Sequence, residues 1–356
     1  MATLRDIRKR IRSVVLTRQI TNTMMMVAAA KLRRAQTAMY QTGPFADQLE
    51  AMFSALRIDA AEDAFQVEMI RALLGPEFDR LISIDLAGRK ISRRTLVLFT
   101  SDRGLCGAFN ANAINAAHEW LDKQSQDGAE SELVCVGRRG ARHFGKTSWN
   151  VVRTFESLDA GFNPQLYWDG YRKWRDLGET PPAPELLLSR WTGDPDPRLV
   201  QGYMRMLRLF ELREYLVRRF ANGLNKETFA EGTNEIHLSY THYFSPARSK
   251  ATTIPFLSIQ PPQNGTSLSR VDHIFEPDVR SLLTAFMPLY ADLMIWASAA
   301  HTQASEQAMR VVAMTMATDL AEQLIRSLTL SYNKARQAAI TKEILEVNTG
   351  AEALRA

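Results

Sequence analysis

The stretch that decides the fold is IRKRIRSVVLTRQITNTMMMVAAAKLRRAQ, Ile7 to Gln36. Around it the apolar positions Leu4, Ile7, Ile11 and Val14 step by three and four. After Thr17 the stripe continues as Ile20, Met24, Ala28, Leu32, Ala35 and Met39. That spacing is one face of a long helix, and the stripe is narrow enough for a coiled-coil seam rather than a globular core. No glycine or proline occurs from Met1 to Thr42, and Gly43-Pro44 then predicts a break or kink.

A coiled-coil helix needs a partner, and the other end of the chain offers one. Between Pro288 and Gly350 there is no glycine or proline. A single helix there spans about 60 residues, or ~90 Å. Its seam is read as Ala317, Leu320, Leu324, Leu328, Tyr332, Ala335 and Ala339, with alanines that permit close approach. The two terminal helices are therefore expected to pair antiparallel, with the intervening chain forming a separate domain.

That middle has a different grammar. TLVLFTSD, ELVCVG and WNVVRTF are short β-rich runs separated by the helical AINAAHEWLDKQ and by RRGARHFG. EIHLSYTHYF and TTIPFLSI supply later strands. Strands alternating with helices predict a partly parallel, Rossmann-like α/β sheet. The expected division is an N-terminal coiled-coil helix and its extension over 1–75, an α/β domain over 76–265, and a C-terminal coiled-coil helix over 266–356. Within the α/β domain, residues 161–230 read as an insertion carrying Trp168, Trp174, Trp191 and the proline cluster ETPPAPE. It ends in an amphipathic helix with Asp196-Pro197 as cap and first turn. That helix either packs onto the α/β domain or forms a docking surface for a neighbour.

Composition limits the function. The chain has 356 residues, 46% of them hydrophobic and 23% charged, and no apolar run of membrane-spanning length is apparent. Two cysteines, Cys106 and Cys135, exclude a disulfide scaffold and fit a reducing compartment. The six histidines are scattered, and His237 and His242 have no carboxylate or cysteine cluster beside them in sequence, so no metal site is expected. The net charge of +5 is concentrated at the start: Arg5, Arg8, Lys9, Arg10, Arg12, Arg18, Lys31, Arg33 and Arg34 stand against Asp6. Such a segment suits a transit peptide, a nucleic-acid or membrane-surface helix, or a basic shaft facing an acidic partner.

Two motifs remain. TSDRGLCGAFNAN, Thr100 to Asn112, joins a strand to a helix through glycines and a cysteine. Its Gly104-x-x-Gly107 spacing fits neither a dinucleotide fingerprint nor a phosphate loop, and no acid follows the next strand to hold a ribose. Cys106 has no paired histidine and acid, so nucleophilic catalysis is not expected either. The glycines are expected to serve backbone geometry. Near the C-terminus, TLSYNKARQAAITKEILEV puts Arg336, Gln337, Thr341 and Glu343 off the seam, where they face solvent or a third body.

These residues resemble a known family. The quoted N-terminal stretch, the loop SDRGLCGAFNAN, FEPD at Phe275 to Asp278, and ASEQAMRVVAMTMATDLAEQLIRSLTLSYNKARQAAITKEILEV together resemble the γ subunit of F-type ATP synthases. The resemblance covers roughly 1–160 and 236–352 and leaves the insertion out. It implies a rotor with no catalytic site and no cofactor of its own. The terminal helices would turn inside a ring of α and β subunits, and the α/β domain would sit at the foot beside the ε subunit and the membrane c-ring. It implies a peripheral place on the cytoplasmic face of a bacterial inner membrane.

Residue by residue, Met24 falls on the methionine facing the β lever, and Arg336, Gln337, Thr341 and Glu343 on the polar catch near the shaft top. Arg8 and Lys9 belong to the basic N-terminal turns, and Arg103 and Cys106 to the loop near the acidic lever of β. Phe275 and Glu276 fall in the segment reaching toward the c-ring. Departures are Met25 where a carboxylate is frequent, Asn22 where lysine is frequent, and Ala108 where a second glycine is common. The insertion resembles in position the extra segment of photosynthetic γ subunits but is longer. It has no cysteine, which excludes a thiol–disulfide switch within it. Two other readings stand beside this one: the shaft of a divergent F-type-like ATPase with a different stator or regulator, and a basic coiled-coil nucleic-acid-binding protein. The last lacks any base-reading motif.

Overall fold

The computed structural model describes residues 3–59, 69–73, 91–156, 197–224, 231–258 and 279–353. Its elements, in order, are α1 (Leu4–Asp59), β1 (Arg93–Phe99), α2 (Phe109–Gln124), β2 (Glu130–Val136), α3 (Arg138–Phe144), β3 (Asn150–Phe155), α4 (Pro197–Leu224), β4 (Glu235–Ser245), β5 (Arg248–Ser258) and α5 (Val279–Ala353). Every strand anticipated from the β-rich runs forms, and α4 starts at the expected Pro197.

The sheet order is β3-β2-β1-β4-β5. The first four strands are parallel and β5 returns antiparallel along the edge. Alternation along β1 sends Leu96 and Leu98 to one face and Val97 and Phe99 to the other. The first face is covered by α2 and α3 through Ala113, Ala117, Leu121 and Phe144. The second is covered by α4 and by the first turns of α5.

The amphipathic α4 packs onto the α/β domain. Leu209, Leu212, Leu216, Phe220 and Leu224 recur every three or four residues and are buried in the main core. Burial of each large side chain contributes roughly 1.5–3 kcal/mol. Among the ion pairs that fix the helix in place, two are largely buried: Arg213 to Asp292 of α5 at 3.1 Å, and Arg219 to Glu132 of β2. Thr95 also donates to Glu132 at 2.6 Å, so this carboxylate is doubly satisfied. Trp168, Trp174 and Trp191 lie outside the described residues.

The terminal helices exceed the expected lengths. Helix α1 runs 56 residues, straight across Gly43-Pro44, which does not end it. Helix α5 runs 75 residues, begins ahead of Pro288 and continues through Gly350. At 1.5 Å per residue they measure ~84 and ~112 Å. Contrary to the reading from composition, α5 contains a stretch long and apolar enough to cross a membrane, with mean hydropathy 1.4. Yet 67% of that stretch is buried inside the protein, where it serves the core.

The pairing is antiparallel, as shown by three levels of contact. Arg8 reaches Tyr332, Thr21 hydrogen-bonds Thr318 at 2.8 Å, and Leu32 and Ala35 pack with Ala304 and Ala308. The seam departs from the anticipated one at three places. Ile20 is 60% exposed and Thr21 takes its place inward. Leu320 and Leu324, at 63% and 48% exposed, stand outside, while Ala321 is buried and Ile325 half-buried. The stripe was read by apolarity, whereas close helix approach selects small side chains and turns the larger ones out.

Candidate functional site

The carboxyl ends of the parallel strands are where open α/β sheets hold ligands, at the point where strand order reverses. Here that point lies between β1 and β4, and α5 occupies it. On one flank, Ser305 of α5 donates to the Thr241 carbonyl at 3.2 Å, and the Tyr243 N–H donates to His301 Nδ1 at 3.3 Å. On the other, the loop after β1 lies on α5.

That loop is built from inside. The Ser101 N–H donates to Asn110 Oδ1 at 3.1 Å, and Asn110 Nδ2 donates to Cys106 Sγ at 3.1 Å and Ser101 Oγ at 2.8 Å. Ser101 Oγ in turn donates to the Arg103 carbonyl at 2.6 Å. Cys106 is 2% exposed, and burial first of all pushes its thiol up, so it stays protonated at neutral pH. Cys135 is likewise free and buried, its thiol pushed up to about 12 by burial. The thiol named from the sequence as part of a contact loop therefore shapes the loop from within. The outward side chains are Arg103 and Leu105, the latter 61% exposed and held at φ +63°.

The glycines serve backbone geometry, and at Gly104 a Cβ would meet the Arg139 guanidinium of α3 at 2.5 Å. Gly107, at φ +56°, lies so that a Cβ would sit 3.5 Å from the Met309 methyl. Gly104 offers its carbonyl to Arg310 at 3.2 Å. Arg310 is held by Glu306 one turn earlier at 2.7 Å. Burial pushes the Glu306 carboxyl up despite the opposing charges of Arg310 and Lys31. Neither Arg310 nor Glu306 was legible as a loop anchor in the sequence. Both lie in an otherwise ordinary helical stretch and acquire the role only when the loop folds onto it.

A second joint links the domain to both helices. Gln36 of α1 donates to the Tyr243 hydroxyl at 2.7 Å, while His301 accepts from the Tyr243 backbone. The His301 ring stacks on His242, centroids 4.1 Å apart. Burial, with His242 adding to it, pushes the His301 imidazole down to about 4, so it is neutral and able to accept.

The upper shaft presents an unusual surface. The antiparallel register brings Leu16 and Ile20 of α1 level with Leu324 and Leu320 of α5, and all four are exposed. Met26 and Val27 extend the apolar surface downward. Met24, singled out from sequence, is half-buried at the seam edge, and Met25 accepts a hydrogen bond from Thr315 at 3.2 Å. Arg8 is engaged within the shaft by the Tyr332 hydroxyl and ring, whereas Lys9 is exposed. Toward its C-terminal end α5 runs past the level where α1 starts, with Ile344, Leu345 and Val347 exposed. Arg336, Gln337, Thr341 and Glu343 are all exposed there. Their spacing divides them into two faces, Arg336 with Glu343 and Gln337 with Thr341. Phe275 and Glu276 lie outside the described residues.

Among the described residues no group of three or more His, Cys, Asp or Glu side chains gathers for a metal. A polar cavity of about 410 Å³ opens at the amino ends of β1 to β3. Two ion pairs cross it, Arg93 with Glu130 at 2.7 Å and Arg219 with Glu132.

Comparison with known proteins decides the family. The ATP synthase family model that bears the description "ATP synthase" matches residues 3–176 and 200–354. The ATP synthase gamma chain of Chloroherpeton thalassium is 33% identical over 369 residues, covering 99% of both chains. That of Thermosynechococcus vestitus is 34% identical and covers all of both.

The chain belongs to the ATP synthase gamma-chain family.

The match therefore extends past the stretches quoted from the sequence, taking in residues 161–176 and 200–235 and with them α4. The Syntrophobacter fumaroxidans gamma chain, 33% identical over 357 residues, also aligns over the full length of both chains. In fold, the chain is similar to one in the Euglena gracilis mitochondrial ATP synthase OSCP/F1/c-ring assembly, at a TM-score of 0.55 and 15% identity, covering 99% of this chain and 94% of that one.

Proposed function

We propose that the chain is the central-stalk rotor of an F-type ATP synthase, coupling ion-driven rotation of a membrane ring to ATP synthesis on a catalytic hexamer of α and β subunits. The observation that carries this is the antiparallel shaft itself, stiff, basic and ringed by the exposed Leu16, Ile20, Leu320 and Leu324. An apolar girdle on a shaft is a bearing surface: it matches an apolar sleeve without the directional bonds that would pin one orientation.

In this reading Lys9 and Met24, with Arg8 behind them, face the catalytic subunits along the shaft. Arg336, Gln337, Thr341 and Glu343 supply the polar contacts near its tip. Arg103, with Leu105 beside it and Cys106 beneath, meets an acidic lever on β, for which a cationic loop is the electrostatic complement. Phe275 and Glu276 reach the membrane ring, and the ε subunit binds the α/β foot. The complex is peripheral on the cytoplasmic face of a bacterial inner membrane, and chemistry stays on the α and β subunits.

Co-expression with α and β from the same organism tests the proposal. A complex of fixed stoichiometry, whose ATP hydrolysis depends on this chain, is expected. A chain that elutes alone, or a hexamer equally active without it, overturns it.

A further inference from the structure

Away from the shaft, on the outer face of the sheet, α2 and α3 bring two imidazoles together. His118 Nε2 and His143 Nε2 are 3.0 Å apart, with ring planes at 78°. His118 is half-buried on the Phe144 ring, 4.6 Å between centroids, and His143 is exposed. The residues stand 25 positions apart, so neither helix periodicity nor sequence spacing puts them together. Only the docking of α2 and α3 on the Leu96–Leu98 face does so.

We propose that this pair is a surface site for a divalent transition metal, with His118 Nε2 and His143 Nε2 as its protein ligands. Imidazole nitrogen suits nickel, copper and zinc. With metal–nitrogen bonds of about 2.0–2.1 Å, a 3.0 Å nitrogen separation subtends roughly 95° at the ion. That is the cis angle of square-planar or octahedral coordination, which favours Cu²⁺ and Ni²⁺ over tetrahedral Zn²⁺. Ring centroids 5.2 Å apart set the nitrogens nearly head-on. Without metal, one N–H therefore donates to the other nitrogen. Turning each ring about its soft terminal torsion swings both lone pairs toward one ion, the donating ring then carrying its proton on Nδ1. Among the described residues no third His, Cys, Asp or Glu joins them, so water fills the remaining positions. The site cross-links α2 to α3 and touches neither the shaft nor the loop after β1.

The test titrates CuCl₂ and NiCl₂ separately into the full chain, free of any purification tag, at neutral pH in a non-chelating buffer. One equivalent of each is expected to bind, with Cu²⁺ tighter. His118→Ala and His143→Ala should each weaken binding by about tenfold or more. The double variant, with neither imidazole, should bind more weakly than either single. Paramagnetic resonance of the Cu²⁺ form should show two imidazole nitrogens, falling to one in each single variant. Binding within twofold of the parent in both single variants overturns the proposal, as does a Cu²⁺ spectrum without these nitrogens. Circular dichroism of the variants separates loss of ligand from loss of fold, and an unfolded alanine variant is replaced by His118→Gln or His143→Gln.

Discussion

The foot and the shaft bury opposite kinds of side chain. In the foot, Leu96, Phe99, Leu133, Leu212, Leu216 and Phe220 are sealed between a sheet and helices. In the shaft, the innermost residues are Ala28, Ala35, Ala304, Ala308 and Ala321, while Leu16, Ile20, Leu320 and Leu324 face out. A globular core gains stability from the apolar volume it encloses. A two-helix rod has little interior, so small residues bring the axes together and most of the large ones, Leu32 and Met314 apart, become its outer surface. The foot is built to be stable and the shaft to be touched.

The largest test of that difference lies in the foot. Phe220→Ala should cost about 3–5 kcal/mol, read as a lowered urea midpoint for the chain. A loss below about 1 kcal/mol would mean that α4 is not part of the core.

Next comes the joint between the two regions. His301 is pushed down to about 4 by burial and by His242, so it binds fewer protons folded than unfolded. Its contribution is fully present above the ordinary histidine value of 6.5 and is lost as pH falls toward about 4. Stability should decline by about 2–3 kcal/mol over that window, and the decline should be smaller in His301→Gln. An unchanged pH profile in that variant would remove His301 from the joint's proton balance.

In the shaft seam, Ala308→Leu should destabilise by about 1–3 kcal/mol through overpacking. It should also splay α1 from α5, measurable as a longer distance between spin labels on the two helices. The smallest stability effect belongs to the girdle: Leu320→Ser with Leu324→Ser should change the chain's stability by no more than about 0.5 kcal/mol per site. ATP-driven rotation in the assembled complex should nevertheless lose efficiency. If the girdle variants unfold the chain instead, these leucines belong to its core and the contrast between foot and shaft fails.

The strands were legible because alternating apolar runs bounded by turn residues carry their own period, and Pro197 marked the start of α4. The two long helices were legible for the same reason. Their seam was less so, because apolarity and inwardness part company on a thin rod, and Ile20, Leu320 and Leu324 all went outward. The glycine loop's spacing fits no phosphate-binding motif. Its anchor on Arg310 was invisible, since residues more than 200 positions apart carry no common period.

By itself the sequence determined the elements, their order, the pairing of the chain's ends and the family to which it belongs. These depend on local periodicity and on motifs contiguous along the chain. Tertiary structure alone decided which face of the shaft looks outward, that Cys106 lies beneath its loop, and that α5 fills the crevice where such sheets hold ligands. It also brought His118 to His143. Each of those is a matter of which surfaces meet once helices and sheet have packed, and close packing is a property of the whole assembly rather than of any one segment.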